Sequence, residues 1–221
     1  MDWTALRLSF ELAAVTCLVL LPLGALLARW LAYSRLPGKS FVEALLALPL
    51  VLPPTVLGFY VLEGIGGASV IGRWYSSLFG GQLAFSFAGL AVASVLFNLP
   101  FAVMPMQRAF EAIPADLRLA APTCGLGPLA TFTKIELPLA WPGIVSAMVM
   151  TLAHTLGEFG VVLMVGGNIP GETKTVAIAI YDRVQAFDMH SAGVMSLVLL
   201  AVSFATLLCT TWLNRKSTGV L

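Results

Sequence analysis

Charge is what this chain has least of. Only 10% of its 221 residues are Asp, Glu, Lys or Arg, against 59% hydrophobic. Ordinary soluble domains carry roughly 25% charged residues. A soluble fold of this length could not hide so much apolar surface, so the chain belongs in a bilayer. A net charge of +1 gives no case for nucleic acid. Cysteine is scarce too: Cys17 and Cys209 lie in apolar stretches and Cys124 in the loop between them, so no disulfide framework is expected and they read as small packing residues. A Gly-rich phosphate loop of the Walker type is missing, so ATP hydrolysis would have to come from another subunit. No cationic region precedes the first apolar run, since Asp2 comes before Arg7, and no small-x-small site follows it. That run is expected to be a retained span.

What is present is five apolar stretches, at roughly 9–32, 41–63, 84–107, 141–166 and 193–213. Each is long enough for about 30 Å of hydrocarbon, which takes about 20 residues. The expected fold is therefore an all-α membrane bundle of five spans, forming one domain over 1–221. Pro49, Pro53 and Pro54 interrupt the second span, and Pro100 and Pro105 the third, which suits helices packed inside a bundle. Arg29, Arg35, Lys39, Arg108, Arg118, Lys134, Arg215 and Lys216 fall on one side; Arg7, Arg73, Lys174 and Arg183 fall on the other. The positive-inside rule then puts the N-terminus outside, the C-terminus in the cytoplasm, the 108–139 loop inside and the 167–192 segment outside.

The inner loop reads as two short helices around a turn. Pro114 opens the first, with Asp116 complementing its dipole. Leu117, Ala120, Ala121 and Cys124 fall on one face at helical spacing. Gly125 and Gly127-Pro128 end it. A second helix, Leu129 to Glu136, packs through Phe132 and Ile135; Leu137-Pro138 is expected to stop it, and Pro142 to open the fourth span. A loop helix lying on the membrane surface would read the same way.

The spacing adds more. Ala120-Ala121, three residues, Gly125, nine residues, then Ile135-x-Leu137-Pro138 resembles the Glu-Ala-Ala signature of ABC-importer permeases. The glutamate is absent, with Leu119 in its slot behind Arg118. The resemblance implies that Ala120, Ala121, Gly125, Ile135, Leu137 and Pro138 couple to a cytoplasmic ATPase. Two further stretches, "LPGKSFVEALLALPLVLPPTVLGFYVL" (36–62) and "LGEFGVVLMVGGNIPGETKTVAIAIY" (156–181), resemble the molybdate branch of these permeases. "GEFG" is shared with sulfate permeases, whereas "NIPGET" followed by Tyr181 is more particular. The resemblance implies a type I permease in the plasma (inner) membrane and a homodimer surrounded by lipid. It also implies two cytoplasmic ATPase subunits, an extracytoplasmic oxyanion-binding protein, and no cofactor or metal. Sulfate or tungstate remains an alternative cargo.

Individual residues follow. His154 and Glu158, four apart, are expected on one face of the fourth span. An ionisable pair inside a membrane is a functional hypothesis by default, but two ligands do not complete a zinc site. With Gly157 they are pathway or gate candidates. Asn98, before Pro100, either bonds across helices or lines a path. Pro53, Pro54 and Thr55 are expected to kink the second span, with freed carbonyls facing the pathway. Outside, Asn168, Pro170, Gly171 and Glu172 are candidates for contact with the binding protein. Val176, Ile180, Val184 and Phe187 are expected as the apolar face of a surface helix, which a plain interfacial cap would also explain. No Lys or Arg lies in the interior of a span, so a tight oxyanion site in mid-membrane is not expected. A stand-alone carrier would need inverted repeats around a midplane site. An intramembrane enzyme would have to rest on His154 and Glu158 alone.

Overall fold

The computed structural model describes residues 1–35 and 37–218, with side chains through residue 208. Leu36, at the head of the 36–62 stretch, and the side chains of Cys209, Arg215 and Lys216 lie outside the described residues. The helices run in the order α1 (Trp3–Tyr33), α2 (Lys39–Val51), α3 (Pro54–Ile65), α4 (Val70–Phe79), α5 (Phe87–Glu111), α6 (Ala115–Thr123) and α7 (Pro128–Thr131). A π turn (Phe132–Glu136) leads into α8 (Leu137–Gly157), followed by α9 (Gly160–Gly166), α10 (Val176–Gln185) and α11 (Met189–Thr218). No strand occurs among the described residues.

Four helices are long and apolar enough to cross a bilayer: Trp3–Tyr33, Phe87–Glu111, Pro128–Gly157 and Met189–Leu208. The α2–α3 pair meets the same length and hydropathy test only when its two helices are taken together, and it is bent by 113° at the break between them. The expected kink is thus a full break. Leu52 and Pro53 each precede a proline, and the ring of the following proline pushes a residue out of the α region. Both are extended, with ψ 139° and 135°.

The bundle centre is α1, α5 and α8. Ala25, Ala28, Val103, Met106, Ala140, Ile144 and Ala147 meet there with little or no exposure. Small residues let helix backbones approach, which is how membrane helices gain packing without a solvent-driven hydrophobic effect. Gly143 shows the limit: a Cβ there would collide with the Ala109 methyl. Outward, Leu18, Leu23 and Leu26 are exposed, as lipid-facing side chains should be. A second core joins α3, α5 and α9 through Val61, Ile65, Ala93, Phe97, Val161 and Val165.

Three expectations need correction. Leu137-Pro138 does not stop a helix, and Pro142 does not open one; the chain is helical from Pro128 to Gly157. The Leu137 N–H bonds to Phe132 O, five residues back. This widened turn lets the helix pass into Pro138, which sits in the first turn of α8 where its missing N–H costs little. The fourth span is not continuous to 166, because α8 ends at Gly157 and Glu158 is extended (φ −74°, ψ 132°). Finally, the buried face of α10 is Val176, Ile178 and Ala179, while Val184 and Phe187 are exposed. The Val176 N–H donates to Ser9 Oγ of α1 (2.8 Å), and this tether fixes which side of α10 faces the bundle. Phe187 lies beyond the helix at φ 57°.

Candidate functional site

At one end of the bundle an elbow projects between α5 and α8. Pro114 caps α6, Asp116 sits in its first turn and Cys124 ends it. Gly125 follows at φ +75°, with nothing within 4 Å of where a Cβ would be. Glycine adopts that left-handed turn without the steric cost other residues meet. Gly125 N–H donates to Pro122 O (3.0 Å) and Leu126 N–H to Ala121 O (3.0 Å), closing the helix end.

Of the six residues expected on the coupling surface, Ala120, Gly125 and Pro138 are exposed, and Ile135 and Leu137 are half-buried. Ala121 is 2% exposed. It belongs to the underside of α6 rather than to a face open to a partner. The same side of the reading included Leu117 and Cys124, and these are exposed. Leu119 and Leu129 were missed: at 71% and 75% exposure they are the most open apolar side chains of the elbow. Leu119 stands in the slot of the absent glutamate, so that slot offers an apolar contact.

Beneath the elbow lies a charged joint. Arg29 Nε donates to Glu136 Oε2 (2.5 Å) and its Nη2 to Oε1 (3.3 Å). The Glu136 side chain is 3% exposed. Tyr33 OH donates to Phe110 O (3.0 Å), and Arg118 lies 3.5 Å above the Tyr33 ring. Beside it, Gln107 Nε2 donates to Glu43 (2.7 Å) and Glu111 (2.8 Å), and Lys39 Nζ stands 3.6 Å from both acids. Sequence reasoning missed Glu136, although an acid between Ile135 and Leu137 in an apolar stretch is the kind of residue that stays buried only with a partner.

Deeper in the bundle the hydrogen-bonded network contains no Asp, Glu, Lys or Arg. Asn98 Nδ2 donates to Ser94 O (2.8 Å) and Thr155 Oγ1 (3.0 Å). Its Oδ1 is 3.1 Å from His154 Nδ1. An amide oxygen only accepts, so His154 carries a proton on Nδ1 and donates it to Asn98. Phe97 and Phe101 flank the imidazole at 4.7 and 3.8 Å. Thr16 Oγ1 and Ser94 Oγ are 2.7 Å apart, which ties α1 in. Asn98 therefore bonds across helices, and it is fully buried.

His154 and Glu158 do not share a helix face. Glu158 turns away after α8 ends, and its Oε1 accepts from the Val161 N–H (2.8 Å), capping α9. Gly157, the last residue of α8, is exposed and has open space around it. Here the break between α2 and α3 meets the break between α8 and α9. A Cβ on Gly160 would stand 2.8 Å from Pro54 Cβ, and one on Gly58 would stand 2.8 Å from Met164 Cβ. Pro53, Pro54 and Thr55 are exposed at this junction. The second break carries no proline, so only Gly157 and Gly160 in the sequence marked it.

At the far end, residues 167–175 form a tight turn. Ile169 O accepts from the N–H groups of Glu172, Thr173 and Lys174 at 3.0–3.2 Å. Gly171 has φ +80°. Asn168 Nδ2 donates to both oxygens of Asp182 (2.9 Å each), and Lys174 Nζ is 2.6 Å from Asp182 Oδ2. Burial raises the Asp182 carboxyl, but the bonds from Lys174 and Asn168 outweigh it and hold the group below the usual carboxylate range. Asn168 thus locks the turn, and Pro170, Gly171 and Glu172 are presented at its surface.

A helical membrane bundle with one broken crossing, an elbow at one end and a locked turn at the other is the architecture of an importer permease. Solved structures of transporter chains share the fold. A bacterial alginate ABC transporter chain, from a complex with an alginate pentasaccharide-bound periplasmic protein, aligns with TM-score 0.77 at 18% identity, covering 97% of this chain and 78% of that one. A chain of an amino acid ABC transporter, solved with histidines, aligns with TM-score 0.65 at 12% identity, covering 97% and 93%. The chain belongs to the family of binding-protein-dependent transport system inner membrane components, whose profile it matches over residues 21–218. Among curated relatives, the molybdenum transport system permease protein ModB of Azotobacter vinelandii is 48% identical over 206 residues, 93% of this chain and 91% of that protein. ModB of Escherichia coli K12 is 36% identical over 217 residues, 98% and 95%. A probable sulfate transport system permease protein, cysT, of Nephroselmis olivacea is 31% identical over 199 residues, 89% and 70%.

Proposed function

We propose that this chain is the permease subunit of an ATP-driven importer of molybdate, working as a homodimer with two cytoplasmic ATPase subunits and an extracytoplasmic oxyanion-binding protein. The observation that carries the reading is the 48% identity to a molybdenum permease along 93% of the chain. Sulfate is the second reading, favoured by the 31% identity to the sulfate relative. The chain itself is non-catalytic, and hydrolysis belongs to the ATPase.

The elbow lies in the cytoplasm and docks the ATPase through Ala120, Leu119 and Leu129 around Gly125. The N-terminus and the 167–175 turn lie outside, where Pro170, Gly171 and Glu172 meet the binding protein. Between them the network of Thr16, Ser94, Asn98, His154 and Thr155 contains no Lys or Arg. A hydrated dianion gains little from it in place of water, so selectivity resides in the binding protein. Passage needs a water-filled cavity opened alternately by the ATPase, with Pro53, Pro54, Thr55 and Gly157 at the junction of the two breaks. Glu158 is kept out of the anion's way by its bond to α9.

Uptake into proteoliposomes holding the permease, ATPase and binding protein tests this. ATP-dependent molybdate uptake, outcompeted poorly by sulfate, is expected; sulfate uptake that molybdate does not inhibit would overturn the cargo. The purified dimer alone is expected to bind no molybdate by calorimetry, and a tight site there would point to a carrier instead. Labelling of a cysteine at position 2 from the cytoplasmic side alone would refute the orientation.

A further inference from the structure

Arg29 touches three parts of the elbow end at once. Its guanidinium holds both oxygens of Glu136 on the π turn, and it lies over the rings of Phe132 (5.4 Å) and Tyr33 (5.8 Å). One helical turn further along α1, Tyr33 bonds to Phe110 O at the end of α5 and carries Arg118 of α6 on its ring. Within one turn, then, α1 holds both sides of the elbow: α6 on the way in, and the π turn on the way out.

The two attachments differ in kind. Glu136 is buried and bound at both oxygens; separating it from Arg29 would leave a charge without its partner, the most unfavourable state for a buried ion. Arg118 is held by ring stacking, and its Nε is buried without an acceptor. A buried N–H without a partner weakens the arrangement that contains it. Next to Arg118 is a cavity of about 670 Å³ bounded by Arg29, Trp30, Tyr33, Leu126 and Thr131, which leaves α6 room to shift. The π turn, a helix irregularity often found at functional sites, is where α8 can change its winding.

We propose that Arg29 and Glu136 are positioning residues of the coupling step: their ion pair is a fixed strut from the π turn to α1, while the Arg118–Tyr33 stack is the contact that releases. When a docked ATPase moves α6, Arg118 leaves the ring. The strut keeps the base of α8 on α1, so the displacement becomes a rotation of α8 instead of a loosening of the elbow. This rests on the elbow being the ATPase-coupling segment.

The test uses the complete reconstituted complex and three readouts: ATPase retained on purification, oxyanion uptake, and ATP hydrolysed per oxyanion. Glu136→Gln and Arg29→Lys are expected to retain the ATPase and to hydrolyse ATP, with ATP used per oxyanion rising about tenfold, a usual size for a coupling energy. Arg29→Gln combined with Glu136→Gln should be no worse than either alone, because the two act as one unit. Arg118→Gln should leave coupling within about twofold, since its contact is made to be broken. An unchanged ATP-to-oxyanion ratio in both Glu136→Gln and Arg29→Lys overturns the strut. If Glu136→Gln fails to assemble, Arg29→Lys decides alone, because it keeps a cation beside the acid. A wild-type complex that retains no ATPase would instead overturn the elbow reading.

Discussion

The elbow end and the bundle centre fasten helices by opposite means. At the elbow end the joints are charged: Arg29 of α1 to Glu136 at the base of α8, and Gln107 and Glu111 of α5 to Glu43 and Lys39 of α2. At the centre α1, α5 and α8 are joined by Thr16, Ser94, Asn98, Thr155 and His154, with no carboxylate, Lys or Arg among them. The difference follows the surroundings. Near the membrane surface water and headgroups help solvate an ion, and a charged pair is tolerated. Inside the hydrocarbon an ion is far more costly, and neutral bonds hold helices without that penalty. The charged joint is therefore strong only where its geometry is met, which suits a strut that must hold while the elbow beside it shifts. The neutral joint is short in range, which suits a permanent fastening of helices.

The sharpest way to break this comparison is at Gly125. Its φ of +75° is strained for any β-branched residue, while open space surrounds it. Gly125→Val therefore costs backbone strain alone, about 1–2 kcal/mol, which should lower ATPase retention and uptake about tenfold. Gly125→Asn, which tolerates the left-handed region, should recover most of the loss. Equal damage from both variants would mean that the side chain, not the turn, matters. Ala121→Glu is a different experiment from the one its sequence position suggests. Ala121 is buried under α6, so a charge there should unfold the elbow, seen as protease sensitivity before any effect on docking.

Next in size is the centre. Asn98→Leu strands the His154 Nδ1 proton and removes the bonds to Thr155 and Ser94. Membrane hydrogen bonds average about 0.6 kcal/mol, but a stranded buried partner adds its own cost, so about 1–2 kcal/mol and a Tm loss of about 2–8 °C are expected. Thr155→Val removes one of these bonds and should cost less than half as much. If Asn98→Leu instead abolished uptake at unchanged Tm, the centre would be a pathway contact and not a fastening.

How much of this could be read from sequence depends on what fixes each feature. The spans were legible because bilayer thickness sets the length of an apolar run, and the five predicted stretches each overlap a crossing helix or the bent pair. The Pro53-Pro54 interruption was legible, but its 113° angle was not, since two successive extended residues compound. The continuity of α7 into α8 was hidden by one residue of extra winding. Glu158 was assigned to a helix face because i,i+4 spacing holds only while the helix lasts, and nothing in "LGEFG" states that the carboxylate will cap the next segment. Arg29 and Glu136 lie 107 positions apart in the chain, and their pairing is a property of the bundle alone.

The smallest effect concerns the far end, where one ion pair locks the 167–175 turn. Asp182 is held below its ordinary value of about 3.9 by Lys174 and Asn168, against the opposing effect of burial. A group depressed on folding adds stability that is present above its unfolded pKa and is lost as pH falls through the folded one. The contribution should thus be intact at neutral pH and fade below about pH 4. Lys174 and Asp182 are partly exposed, with side-chain exposures of 20% and 32%, so screening limits the pair to a small share of stability. Asp182→Asn keeps the shape and should lower Tm by a degree or two at neutral pH, with the gap from wild type closing as the solution is acidified. The sharper readout is the surface that the turn presents. With Asn168 and Lys174 released, Pro170 and Glu172 lose their fixed placement, and affinity for the binding protein should fall more than stability does. A gap in Tm that stays constant from neutral pH to pH 3 would show that Asp182 contributes by packing and not by its charge.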